Sequence, residues 1–231
     1  MLNQAIWRKF LAAVAVALTF NEAWCCRILA AETDAGPAKW ETEIRAFEVT
    51  DKTNPPPQNA ILFVGSSSIR LWKTLAQDFS EHKVINRGFG GSQVEDSTAF
   101  AERIVFPYKP RLVVLYAGDN DIAGGKSPDQ VFADFKTFTQ KVHAKQPEMR
   151  IAFISIKPSP SRWHLAAKIK AANQLIGDFC RQESGLDYID VFTPMLGPDG
   201  TPRPELFRED KLHLNDKGYA LWTSLIKPRL K

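Results

Sequence analysis

Apolar residues along this chain follow two rhythms that alternate. Short β-compatible runs occupy residues 60–64, 84–86, 112–116, 151–156 and 188–191. Between them, apolar side chains recur every three or four residues, the spacing of one helix face. Trp40, Ile44 and Phe47 mark a first helix over about 39–50, and Pro55-Pro-Pro57 then forces an extended entry into the first strand. Ile69, Trp72 and Leu75 share a face in a segment ending near 78. Val131, Phe132, Phe135, Phe138 and Val142 form a stripe in a helix opened by Ser127-Pro-Asp129, where proline suits the first turn. Leu165, Ile169, Ala172, Leu175, Ile176 and Phe179 predict a long helix over about 163–181, and a last helix covers about 216–226. Strands separated by helices pair in parallel through right-handed crossovers. The pattern predicts an α/β fold, a three-layer α/β/α sandwich on a flavodoxin-like five-stranded parallel sheet of order 2-1-3-4-5. That domain covers residues 60–231, behind a linker and N-terminal helix at 32–59.

Composition narrows the class. A chain of 231 residues with 44% hydrophobic and 24% charged residues supports one buried core. A net charge of +4 without a long basic run gives no footing for a nucleic-acid partner. Residues 1–31 read as a signal peptide or N-terminal anchor: Arg8 and Lys9 flank the apolar run 10–20, and Ala30-Ala31 offers a cleavage point. The run is short for a bilayer span, whereas Arg27 and its bulky neighbours keep a retained anchor open. Export to the periplasm or medium is therefore expected, or tethering by the uncleaved segment, with no integral span in the mature form. Trp24 before Cys25 does not suit a lipidation site. Cys180 is then left without a partner for an internal disulfide and reads as an inert thiol inside a helix.

The candidate chemistry gathers where the first three strands end. Gly65-Ser-Ser-Ser68, Gly88-Phe-Gly-Gly-Ser92 and Gly118-Asp-Asn-Asp121 follow those strands in turn. In a parallel sheet all three lie on the carboxyl edge, where ligands bind. A serine there is either a nucleophile or a helix cap. Of the four histidines, His82 precedes a strand on the far edge, His143 falls late in a helix on a solvent-facing position, and His164 follows a proline-rich loop. His213 lies three residues after Asp210. That spacing either decorates a helix entry or lets a carboxylate orient an imidazole toward a serine.

Taken in order, Gly65-Ser-Ser-Ser68, Asn86-Arg-Gly-Phe-Gly-Gly91, Gly118-Asp-Asn-Asp121 and Asp210-Lys-Leu-His213 resemble the four blocks of the SGNH hydrolases, the GDSL-type esterases and lipases. The resemblance covers roughly residues 60–225. It implies Ser67 as nucleophile, His213 as general base and Asp210 as its orienter. It implies an oxyanion hole from the Ser67 and Gly91 N–H groups and the Asn120 side chain, with Gly90 a near rival of Gly91. The family's aspartate before the serine is replaced here by Ser66, and the serine run keeps Ser66 as a second candidate nucleophile. Ser66, Arg162 and Trp163 are candidate substrate contacts. No metal or cofactor is implied.

The function this suggests is hydrolysis of short acyl esters, acetyl above all, on a small molecule or glycan. Lysophospholipid or thioester hydrolysis on the same fold is an alternative. Another is a silent glycan-binding domain, with Trp72 and Trp163 as stacking platforms rather than packing residues. Oligomeric state is not legible. Other readings fit less well: residues 88–91 lack the full Gly-x-Gly-x-x-Gly spacing, no Gly-Lys-Ser/Thr follows a strand, and Ser67 lacks the glycine two residues on that an α/β-hydrolase elbow needs. Asp119, Asn120 and Asp121 are too close in sequence to aim at one ion.

Overall fold

The computed structural model describes residues 36–230. The segment read as an export signal lies outside them. Among the described residues no helix is long and apolar enough to cross a membrane.

The strands are β1 (Ile61–Gly65), β2 (Val84–Gly88), β3 (Leu112–Tyr116), β4 (Arg150–Ile154) and β5 (Leu186–Ile189). They form one sheet of order β2-β1-β3-β4-β5, every pair parallel, as the alternation predicts. The helices in chain order are α1 (Glu41–Thr53), α2 (Ser67–Arg70), α3 (Leu75–Asp78), α4 (Val94–Ala99), α5 (Ala101–Ile104), α6 (Asp119–Ala123), α7 (Pro128–Lys145), α8 (Ala166–Gln182) and α9 (Asp216–Ile226).

Alternate strand residues bury on opposite faces, the two-residue period of a pleated sheet. Leu62, Val64, Val113, Leu115, Ile151 and Phe153 pack in one cluster with side chains of α1, α4, α5, α7 and α8. Ile61, Phe63, Leu112, Val114, Tyr116 and Ile154 pack in a second with side chains of α2, α3 and α9. Each such side chain, fully buried, contributes about 1.5–3 kcal/mol. Register then sets the height of the site. Gly65 pairs with both Gly88 and Tyr116, so the loops after β1, β2 and β3 leave the sheet at one level.

Beyond shifts of two or three residues at element ends, four differences from the sequence reading have a local reason. The helix expected through 69–78 breaks at Leu71–Thr74 into α2 and α3. The break lets the Trp72 indole turn inward against Phe63, Phe79, Tyr219 and Trp222, with ring centroids 5.0–6.0 Å apart. Trp72 Nε1 and Thr74 Oγ1 both donate to Asp78 Oδ2, at 2.6 and 2.7 Å. Trp72 is thus a core residue, and the stacking-platform alternative for it falls. The asparagine block is the first turn of α6 rather than a loop. The long helix starts at Ala166, because Pro158 and Pro160 feed a 3-10 turn over Pro160–Leu165. The β5 strand begins and ends two residues early, since Val191 N and Phe192 N donate to Ser155 Oγ at 2.9 and 3.0 Å instead of extending the ladder. The helix α7 opens at Ser127-Pro128 as predicted, and the structure adds a capping box: Ser127 Oγ accepts from Gln130 N while Gln130 Oε1 accepts from Ser127 N, at 3.2 and 2.7 Å.

Candidate active site

The turn after β1 depends on Gly65. Its φ of +130° is open to glycine, and a Cβ there would lie 1.9 Å from the Tyr116 carbonyl oxygen. Ser66 follows in extended backbone, donates its N–H to that same carbonyl at 2.9 Å, and is only 2% exposed. Ser67 begins α2 with a partly exposed side chain, and a first-turn N–H such as its own has no intrahelical acceptor. The serine run is therefore sorted by geometry, with Ser66 facing inward and Ser67 facing the cleft.

His213 and Asp210 arrive from the loop before α9. Lys211 takes φ +56° within the turn, and Asp210 Oδ1 accepts the Leu212 and His213 N–H groups, both at 2.9 Å. Its Oδ2 lies 2.6 Å from His213 Nδ1, and His213 Nε2 lies 3.2 Å from Ser67 Oγ. Burial works against the Asp210 charge, but the hydrogen bonds from His213 and the two N–H groups outweigh it and bring its pKa down to about 2. An ionised carboxylate can only accept, so Nδ1 carries the imidazole proton and Nε2 is the acceptor toward Ser67.

The glycine block distinguishes its two candidates. Gly90 N–H is taken by Glu43 Oε2 at 2.8 Å, and a Cβ at Gly90 (φ +40°) would meet the Trp40 ring at 1.8 Å. Gly91 is exposed, and a Cβ there would lie 3.7 Å from Asn120 Nδ2. Asn120 Nδ2 gives one hydrogen to Ser92 O at 3.1 Å and keeps the other. The adjacent Asp121 is fully buried, and its Oδ1 accepts from Val94 N at 3.1 Å. Burial raises the Asp121 pKa to about 6.

A family model for GDSL-like lipases and acylhydrolases matches residues 60–221, most of the chain. The chain belongs to that family. The four blocks that carried the resemblance all fall within the matched residues, and family membership makes the protein a hydrolase. No curated protein shows significant sequence similarity to it. Among solved structures it is similar to a Streptococcus pneumonia protein provisionally described as a platelet activating factor (20% identity, TM-score 0.74, covering 94% of this chain and 99% of that one). It is also similar to a GDSL-like lipase from Bacteroides thetaiotaomicron (22%, TM-score 0.70, 80% and 96%). A third is a carbohydrate esterase family 3 protein from Talaromyces cellulolyticus (20%, TM-score 0.58, 74% and 95%). At these identities the likeness is one of fold.

The remaining candidates of this GDSL-like hydrolase sit in the loop after β4. Arg162 Nη1 reaches Asn120 Oδ1 at 3.1 Å and Asp119 Oδ1 at 2.9 Å, so the guanidinium is engaged at the asparagine block. Trp163 stacks on Phe192 at 6.5 Å with Lys170 over both rings, which is packing at the rim of the core. His164 is exposed, and His82 lies 3.3 Å from Arg111 on the far edge. His143 is not solvent-facing as expected: it is half-buried, with Nε2 2.9 Å from Met149 O. Cys180 is buried as expected, and burial pushes its thiol up to about 12.

Sequence reasoning missed Lys157. The residue is 1% exposed, and its ammonium lies 2.7 Å from Asp119 Oδ2 and 3.1 Å from the Tyr116 hydroxyl. Burial opposes both charges, yet their mutual attraction holds the lysine pKa up and, with Arg162, the aspartate pKa down. A lysine beside two prolines carries no sequence mark of burial.

Proposed function

We propose that this GDSL-like hydrolase is an exported serine esterase that removes short acyl groups, acetyl above all, from a small molecule or glycan. The observation that carries the reading is the Asp210–His213–Ser67 chain, with links of 2.6 and 3.2 Å and with the imidazole tautomer set by the carboxylate. Ser67 Oγ attacks the ester carbonyl while His213 Nε2 takes its proton. The oxyanion meets the N–H groups of Ser67 and Gly91 and the free Nδ2 hydrogen of Asn120. Collapse breaks the C–O bond, His213 returns the proton to the departing alcohol, and water then repeats the sequence on the acyl-serine.

Two further observations support the choice of substrate, and a third the export. Among the described residues Val49 on α1 is the exposed large hydrophobic side chain, so the surface offers no broad apolar patch for docking on lipid. One fold relative is a carbohydrate esterase and another an acetyl esterase solved with acetate ion. The basic-apolar N-terminal segment favours export.

The test is a chain-length series of p-nitrophenyl esters with wild type and Ser67→Ala. Turnover of acetate and butyrate, fading with chain length and lost in the folded variant, is expected. Turnover that survives Ser67→Ala refutes the serine mechanism, and a preference for long acyl chains refutes the substrate class in favour of lipid or lysophospholipid esters.

A further inference from the structure

We propose that Arg162 is a positioning residue for the oxyanion hole, holding the Asn120 amide in the orientation that delivers its Nδ2 hydrogen to the substrate. The inference rests on the serine-esterase reading and deepens it.

The support begins two elements away. Asn173 on α8 clamps the start of the loop after β4: its Oδ1 accepts from Ile156 N and its Nδ2 donates to Ile156 O, at 2.8 and 2.9 Å. Lys157 follows directly, its buried ammonium 2.7 Å from Asp119 Oδ2. That contact leaves Asp119 Oδ1 to Arg162 Nη1, at 2.9 Å. The same Nη1 reaches Asn120 Oδ1 at 3.1 Å. Lys157, Asp119, Arg162 and Asn120 are thus linked in series, and the trio before the asparagine carries two positive charges against one negative.

The consequence for Asn120 follows from its donor and acceptor ends. An amide can rotate by half a turn about its last bond at little intrinsic cost. Here rotation would aim Nδ2 at a guanidinium donor and Oδ1 at the Ser92 carbonyl, two repulsive contacts in place of two hydrogen bonds. The observed orientation satisfies both ends and leaves the second Nδ2 hydrogen for a developing oxyanion. A donor held before the reaction needs no reorganisation during it. Arg162 is also anchored on its other flank, because Ser161 N donates to Lys211 O at 3.1 Å beside the catalytic histidine turn.

A double-mutant cycle tests the inference, with kcat and KM read on p-nitrophenyl acetate. Arg162→Gln leaves the Lys157–Asp119 pair intact, and a wild-type-like thermal melt is expected of it. In the wild-type background it should lower kcat roughly tenfold with KM nearly unchanged, part of the hundredfold or larger loss typical of removing an oxyanion donor. In the Asn120→Ala background it should change kcat less than about twofold, because the group it positions is gone. Arg162→Lys should recover part of kcat, since one nitrogen makes both contacts, and it carries the cycle if the glutamine variant does not fold. An equal loss in both backgrounds, a change confined to KM, or no loss at all overturns the proposal. Ser67→Ala in the same assay keeps the two readings apart: residual turnover there refutes the serine esterase itself, whereas an inactive Ser67→Ala with additive Arg162 effects refutes only the positioning role.

Discussion

Replacing Asp210 by asparagine tests the charge arrangement most directly, because asparagine keeps the shape and removes the charge. The carboxylate has two tasks on two oxygens: Oδ1 accepts two backbone N–H groups and Oδ2 faces His213 Nδ1. In Asp210→Asn the backbone donors demand an oxygen at the Oδ1 position. The amide NH2 is then turned toward the imidazole, which must present a lone pair at Nδ1 and carry its proton on Nε2, facing Ser67. That is the wrong tautomer for a base.

The size of the loss has two parts. The imidazolium formed on proton transfer loses its counter-charge at about 4 Å, an attraction between ~1 kcal/mol in water and ~4 kcal/mol near a protein surface. The Asp210 side chain is 47% exposed and that of His213 26%, so screening holds this part to roughly 2 kcal/mol. Tautomer inversion adds to it. A buried aspartate in a protease triad shows a loss of about 10⁴ on the same change. For this half-exposed one we expect kcat to fall about 10²- to 10³-fold. Asp210→Ala, which leaves Nδ1–H free to bond water, should lose less than Asp210→Asn. The assay is kcat for p-nitrophenyl acetate at pH 8, with melting curves to confirm folding. Activity of the asparagine variant within tenfold of wild type, or above that of the alanine variant, refutes the reasoning.

Two further outcomes follow from the geometry. Gly91→Ala should fold normally and lose kcat, since its methyl group lands against Asn120, whereas Gly90→Ala should lower the melting temperature, because its methyl group meets the Trp40 ring at a left-handed φ; the reverse pattern would exchange the two glycines' roles. Asp121, with a folded pKa of about 6 above its unfolded value, holds extra protons between pH 4 and 6, so its burial costs stability increasingly as pH rises through that window and fully above it, on the order of 3 kcal/mol. Asp121→Asn keeps the acceptor for Val94 and should therefore melt above wild type at pH 7.5, with the gain vanishing below pH 4; a gain independent of pH would show that burial of the charge is not its source.

The sheet was legible because burial on both faces leaves a pattern. Val113, Val114 and Leu115 are apolar whichever way they point, and the helices between strands carry their own stripe. The order of strands was not in the pattern itself: any parallel order puts the three motif loops on one edge, and 2-1-3-4-5 came from the flavodoxin-like class as a whole. Less legible were features set by one side chain reaching across the fold. Trp72 has helical spacing with Ile69 and Leu75, yet the chain unwinds there so that its indole can join Tyr219 and Trp222, distant in sequence. Ser155 stops β5 by binding the backbone of Val191 and Phe192. At the site, the residue types and their order were readable, but the register of the serines was not. Ser66 and Ser67 differ only in which one β1 leaves pointing into the core.

What makes these loops one site is also what a sequence conceals, because the contacts run sideways from loop to loop. The β1 turn binds β3 through Ser66 N and Tyr116 O, and the β2 loop binds β1 through Phe89 N and Gly65 O, both at 2.9 Å. The β3 turn holds the β2 loop through Asn120 to Ser92 and Asp121 to Val94. The β4 loop holds the β3 turn through Arg162 and the histidine turn through Ser161. The circuit closes where the Tyr219 hydroxyl on α9 donates to Ser68 O at 3.0 Å, behind the serine. Each loop is thereby restrained by its neighbours on both sides, and a shift in one must strain the next. Such a closed ring suits a reaction whose groups must stay within a fraction of an ångström of their working positions. It also explains why Lys157, which faces no cleft, belongs to the site: it anchors Asp119 at the point where the β3 and β4 segments meet.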